Sequence, residues 1–282
     1  MNSLDALFGN SARSLAAISW GAIALSFASA AVPLTFIVVQ CFFVQPSPGG
    51  ESGMVDSWTD PRNLSAMANS LIVGATVGST LSLASTLIAL AFRWCGLTGN
   101  KLIYLLSIVP LIIPDYVFGV AGRVVFDPSI GLLAGVMPET LLINRGSALL
   151  LVALVVFIKW LPIMIVFADS AILSMRASAL HQTQLDFPSF WRAVRLVYLP
   201  ELRRTIPIIA SLGFLIGFRQ HELAYELTSS GGGFDAETWS SWNYRVIFEF
   251  AGLARASADG LLALLVLLIP IQVIRILAVR HS

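Results

Sequence analysis

Residues 185–200, LDFPSFWRAVRLVYLP, decide how the rest of the chain is read, because they set arginines and an aromatic stripe inside a sequence that is otherwise almost wholly apolar. Phe187, Phe190, Trp191 and Val194 recur at helical spacing on one face, while Arg192 and Arg195 project elsewhere. Pro188 suits a first helical position and drives Phe187 out of the α region, so a break is expected just before it; Pro200 is expected to limit the far end. The result is a helix of about three turns. Such a helix either lies on headgroups with its arginines toward anionic lipid or faces a protein partner.

The surroundings of this segment fix the class. The 282 residues are 57% hydrophobic and only 12% charged, with a mean hydropathy of +0.83. That much apolar surface cannot all be folded inward, so an integral membrane protein is expected. Six apolar runs, at about 20–44, 66–92, 102–124, 148–173, 206–227 and 258–278, are each long enough to cross a hydrocarbon core about 30 Å thick. Backbone groups in lipid must satisfy one another, and the alternating pattern of an outer-membrane barrel is missing from the sequence. The expectation is an all-α integral membrane protein with six transmembrane helices. Residues 1–64 would hold a tail, the first span and an outer loop, and 65–282 a core of five spans with a loop at about 174–204. Ala28, Ser29 and Ala30 look like a signal-peptide cleavage point, but the run stays apolar to Val44, so an uncleaved span is expected.

A net charge of +1 hides an uneven distribution. Arg93 and Lys101 follow the second run without an acid. Arg176, Arg192, Arg195, Arg203 and Arg204 outnumber Asp186 and Glu201 after the fourth, and Arg275 and Arg280 mark the tail. These segments read as cytoplasmic. Glu51, Asp56 and Asp60, then Asp127 and Glu139, then Asp235 and Glu237 mark the outer connections. Both termini are therefore expected inside.

Within the spans, Gly74 and Gly78 form a small-xxx-small pair suited to close helix contact, read here as a packing face. Pro110, Pro114 and Pro162 each remove a backbone hydrogen bond and bend a helix or line a cavity. Ionisable residues at such depth are costly and mark function. Asp115 lies about 20 Å along the third run and Lys159 about 18 Å along the fourth from its outer end. They are expected to pair with each other or to face a solute path. Arg219, Glu222 and Glu226 share a face of the fifth run, with Gln220, His221 and Tyr225 nearby, near enough to the outer end to snorkel. Trp160 could stack on a sugar ring or simply pack, and Asp169 is expected at the interface. Asp115, Lys159, Trp160, Arg219, Glu222 and Tyr225 are thus the candidate path residues. No catalytic or metal constellation emerges: His181, His221 and His281 are scattered, and Cys41 and Cys95 have no ligand spacing. Nucleic-acid binding has no basic patch beyond those the topology explains.

The order of residues in the cytoplasmic loop resembles the coupling loop of permease subunits of binding-protein-dependent ABC importers. In that family Glu-Ala-Ala is followed, after three residues, by Gly and, after nine more, by Ile-x-Leu-Pro. Aligning Val197, Leu199 and Pro200 with the end places Phe187 at the Gly position and His181, Gln182 and Thr183 at Glu-Ala-Ala. Asp186, Ser189 and Trp191 match flanking positions, so the second half of the motif fits and the first is degenerate. Asn69 to Ile72, Phe126-Asp127-Pro128 and Gly131 to Leu133 also look like this family. Leu227 to Gly233, Thr238, Tyr244, Phe248 and Ala256-Ser257-Ala258 resemble its sugar-type, maltose-like branch.

This resemblance implies the ABC type I importer permease fold in a bacterial inner membrane. It implies a second, different permease chain, two ATPase subunits that carry ATP and Mg, an external solute-binding protein, and no cofactor on this chain. The sequence holds no phosphate-binding G-x-x-x-x-G-K-S/T loop, so hydrolysis would fall to those partners. ATPase coupling would rest on His181, Asp186, Phe187, Ser189, Phe190, Trp191, Arg192, Arg195, Leu199 and Pro200. A carbohydrate or glycoside is the implied solute. Polyamine, iron and phosphonate importers share the architecture, and an ion-coupled secondary transporter using Asp115, Lys159 and Glu222 is the alternative from another class.

Overall fold

A computed structural model describes residues 28–29, 31–42, 57–97, 101–174, 189–203, 205–228 and 236–279. Regular structure among them is helical throughout: α1 (Ala31–Phe42), α2 (Pro61–Trp94), α3 (Lys101–Ile112), α4 (Asp115–Phe126), α5 (Arg145–Leu173), α6 (Phe190–Ala193), a π-wound turn (Val194–Tyr198), α7 (Leu199–Leu202), α8 (Thr205–Phe218), α9 (Glu222–Thr228), α10 (Trp239–Phe248) and α11 (Leu253–Val279).

Two of these helices form the axis of the bundle, and each starts on a side-chain cap. Asp60 accepts from the Arg62 amide at 2.8 Å ahead of Pro61, which opens α2. Asn144 accepts from the Gly146 amide at 3.0 Å to start α5. Both helices are long and apolar enough to cross a membrane. A third span results if α3 and α4 are taken as one element bent by 91°. The expected run at 102–124 is therefore broken. Pro110 lies inside α3 without ending it, and the break falls at Ile113-Pro114, where Pro114 takes ψ 148. The run at 206–227 is likewise divided into α8 and α9 at residues 219–221. The run at 258–278 lies within α11.

The core forms where α2 meets α5 and α8. Val73, Val77 and Leu81 of α2 share one cluster with Val152, Val155 and Val156 of α5, so the branched apolar rows of the two helices fill each other's gaps. Against α8 the contact is made by backbone. A Cβ on Gly78 would lie 2.7 Å from the Ala210 carbonyl oxygen, and one on Gly213 would lie 2.9 Å from the Gly78 Cα. Gly74 and Gly217 repeat the arrangement one turn away, at 3.0 Å each. The pair expected as a packing face thus meets a second small-xxx-small pair, Gly213 and Gly217, and the two helix backbones touch over four glycines.

Candidate functional site

The amphipathic segment is helical from Phe190 to Leu202, beginning after Ser189, whose backbone is extended. Ala193, Val194, Tyr198 and Leu202 are buried against the bundle. Phe190 sets its ring edge-on to Trp94 at the end of α2, with centroids 5.7 Å apart. Trp191 is 66% exposed, and Arg192, Arg195, Leu196, Leu199 and Pro200 are exposed with it. The predicted single stripe therefore divides: Phe190 and Val194 turn to the bundle and Trp191 turns away, because neighbours in sequence stand about 100° apart on a helix. The overlooked signal was the i, i+4 series Phe190, Val194, Tyr198, Leu202, which marks the buried face. Burial pushes the Tyr198 phenol up from its ordinary range, with the Arg93 charge acting the other way.

Pro200 does not end this helix. The Leu199 amide reaches back five residues to the Val194 carbonyl. This wider π turn makes room for the proline ring that a tight α turn would press against the preceding carbonyl, and the chain runs on to Leu202. His181, Asp186 and Phe187, with Pro188, lie outside the described residues.

Half-way along the bundle, the broken element meets α5. Lys159 is 3% exposed and sits about 21 Å along α5. Its ammonium donates to the Ile113 carbonyl at 2.8 Å, pairs with Asp115 and lies 5.5 Å from the Phe118 ring centre. The break leaves the last carbonyls of α3 and the first amides of α4 without helical partners. Lys159 answers the negative end. Asp115 in the first turn and Glu222, which accepts from the Tyr116 amide at 3.2 Å, answer the positive end. The intramembrane charges that the sequence placed at one depth thus pair with each other.

The other path candidates distribute unevenly around this junction. Glu222 and Tyr225 lie on α9 beside α4, where a Cβ on Gly119 would come within 3.0 Å of the Leu223 Cα. The Tyr225 and His221 rings are 6.1 Å apart, and His221 lies 4.7 Å from Tyr244 of α10. Neither His221 nor Tyr244 is among the path residues that the sequence singles out. Arg219 is exposed in the link between α8 and α9, so it shares no helical face with Glu222 and Glu226 as the sequence implied. Trp160 is half-buried and packs against the main core. Asp169, one turn from the end of α5, is buried inside the bundle at 2% exposure and accepts from the Tyr104 hydroxyl.

At the end of the bundle opposite Trp94, polar contacts hold the connections between helices. Asn69 donates to the Glu237 carbonyl at 2.8 Å and accepts from Arg145 at 2.9 Å. Arg245 pairs with the Glu237 carboxylate at 3.0 Å. Burial raises that carboxyl above its ordinary range while Arg245 opposes the shift. Thr238 donates to the Gln220 carbonyl at 2.9 Å, and Ser70 accepts from the Trp239 amide at 2.9 Å. Asp60 pairs with Arg255, tying α2 to α11.

No family model and no curated protein matches the sequence. Among solved structures, the chain is similar to one from a bacterial ABC transporter involved in the import of the acidic polysaccharide alginate, with a TM-score of 0.72 at 18% identity over 95% of this chain and 98% of that one. It is also similar to a chain of a bacterial alginate ABC transporter in complex with an alginate pentasaccharide-bound periplasmic protein, with a TM-score of 0.68 at 18% identity over 98% of this chain and 95% of that one. The two likenesses span nearly the whole of both partners, so this chain has the fold of a component of an ABC importer.

Proposed function

We propose that this chain is the transmembrane permease subunit of an ATP-driven ABC importer, moving a carbohydrate or glycoside handed over by an extracytoplasmic solute-binding protein. One observation carries the reading: the helix Phe190–Leu202 is fastened to the bundle by Phe190, Val194 and Tyr198 while Trp191, Leu196 and Leu199 stand exposed beside Arg192 and Arg195. Large apolar anchors flanked by cations suit an acid-rimmed cleft on a partner protein. A helix fixed to the bundle is also a rigid lever, so closure of an ATPase pair could tilt the spans between inward-open and outward-open arrangements.

The rest of the assignment follows from this reading. It places six spans in the type I arrangement of the sugar-type branch, in a bacterial inner membrane with both termini cytoplasmic. A second permease chain completes the pore. Two ATPase subunits bind ATP and Mg and dock on the loop at 174–204 through its degenerate Glu-Ala-Ala motif. The solved neighbours are parts of an alginate importer, one of them in complex with a loaded periplasmic protein, which supports a carbohydrate over a polyamine, iron or phosphonate. An ion-coupled secondary transporter is the second reading, favoured by the charged junction of Asp115, Lys159 and Glu222 at mid-bundle.

The test is reconstitution with the ATPases and the binding protein. Trp191→Ala is expected to leave ATP hydrolysis uncoupled from uptake. Co-purification of the ATPase at normal yield together with normal transport would overturn the docking role. Uptake driven by an ion gradient without nucleotide would establish the second reading in its place.

A further inference from the structure

Resting on the importer reading, we infer that the junction of α4, α9 and α10 receives an uncharged sugar ring and disfavours an anionic one. Six residues meet at this junction: Tyr116, through its amide, with His221, Glu222, Tyr225, Glu226 and Tyr244. The His221 and Tyr244 ring centres are 4.7 Å apart, and Tyr225 lies 6.3 Å from Tyr244. Tyr116 and Tyr244 are 52% and 41% exposed, so their rings present open surface. Glu222 is exposed beside them, fixed by the Tyr116 amide, and Glu226 packs against Gly119.

Depth decides what this face can front. Glu222 reaches the first turn of α4, the turn that also holds the Lys159–Asp115 pair half-way along the bundle. A carboxyl group exposed there, as that of Glu222 is, cannot rest against hydrocarbon, so it fronts a water-filled path. Aromatic faces take the apolar face of a pyranose, and carboxylates accept bonds from its hydroxyls.

The charge balance then selects among sugars. The cations on the elements around this region are Arg123 of α4, which pairs with Asp127 at 3.9 Å, Lys159 of α5 and Arg219 in the α8–α9 link. Lys159 is spent on Asp115 and on the Ile113 carbonyl. Arg245 of α10 is engaged by Glu237. Glu222 and Glu226 therefore face the path with Arg219 as the remaining cation, and a uronate entering between them meets like charge, a repulsion felt most at low salt.

The test uses the importer assembled on this chain, isolated through a tag on it and placed in nanodiscs, with saturation-transfer NMR on three probes: maltopentaose, an alginate pentasaccharide and spermidine. Maltopentaose is expected to receive saturation at least tenfold more readily than the alginate pentasaccharide at low salt. Glu222→Gln, which keeps an acceptor for the Tyr116 amide, is expected to narrow that gap about threefold. Tyr244→Ala is expected to remove saturation of the sugar-ring protons, whereas Leu265→Ala on α11 leaves all three responses unchanged. Alginate binding equal to or tighter than maltopentaose overturns the inference. So does a preference for spermidine, which would mark a cation path, and so does silence from all three probes. If Trp191→Ala uncouples transport while alginate binds as well as maltopentaose, the permease reading stands and this inference falls.

Discussion

The α2–α8 crossing and the α3–α4 break both lie near mid-bundle, yet they are held together by opposite means. At the crossing, Gly74, Gly78, Gly213 and Gly217 bring two backbones into direct contact. With backbone against backbone and Phe214, Leu81 and Val77 closing the sides, there is little slack, so α2 and α8 move as one block. At the break, contact is made by an ammonium, two carboxylates and the free ends of two helices. Each of those bonds can be exchanged for water or for another partner. A bundle that must switch between two arrangements needs both kinds of contact, one to transmit a displacement and one to yield to it.

The sharpest way to break this contrast is Gly78→Leu. The new side chain would have to fit where even a Cβ lies 2.7 Å from the Ala210 carbonyl oxygen. A loss of at least ~3 kcal/mol is expected, seen as a collapse of the melting temperature and of monodisperse protein in detergent. At the break, Lys159→Met strands Asp115 and the Ile113 carbonyl, with an expected cost of about 3 kcal/mol. Adding Asp115→Leu should recover most of it, and a double mutant no better than the single would show that the pair is not the governing contact.

Trp191→Ala sharpens the comparison from a third place, because this side chain touches the bundle so little. Its melting temperature should move by the equivalent of less than ~0.5 kcal/mol, while ATPase affinity drops by about 2 kcal/mol, roughly thirtyfold. Phe190→Ala should invert the pattern, loosening the helix from Trp94 first. Tyr104→Phe removes one bond to the buried Asp169, for an expected ~1 kcal/mol or more in thermal unfolding.

The smallest effect is a pH dependence in the turn after α4. The Ser129 hydroxyl and amide, then the Ile130 amide, donate to Asp127 and hold its carboxyl below the ordinary range. A depressed carboxyl contributes stability above its unfolded pKa and loses it as pH falls through the folded one. Amide exchange at Ser129 and Ile130 should therefore quicken only below the ordinary carboxylate range, and Asp127→Asn should flatten that response.

Much of this was legible in the chain itself, but unevenly. The runs at 66–92 and 148–173 became α2 and α5, since long apolar stretches bounded by Asp60-Pro61 and Asn144 leave the backbone little choice but helix. The pairing of Asp115 with Lys159 was legible as one of two options, because two opposite charges at one depth have few other partners. The aromatic stripe was misassigned. Local periodicity cannot tell whether Trp191 or Phe190 faces the bundle, and that depends on Trp94, nearly a hundred residues away. Pro200 misled for a similar reason: its effect is local only if the preceding turn is a regular α turn, and here that turn is widened.

What the sequence determined was the solvent. Composition and run length made this a helical membrane protein, because unpaired backbone is intolerable in hydrocarbon whatever the tertiary arrangement. What only the tertiary structure decided was the direction of each side chain and the place of each break. Four glycines had to meet across two helices, and a proline at position 114 had to find a lysine 45 residues later in the chain. Those outcomes depend on which surfaces come together in space, and no window of residues contains both halves of the contact.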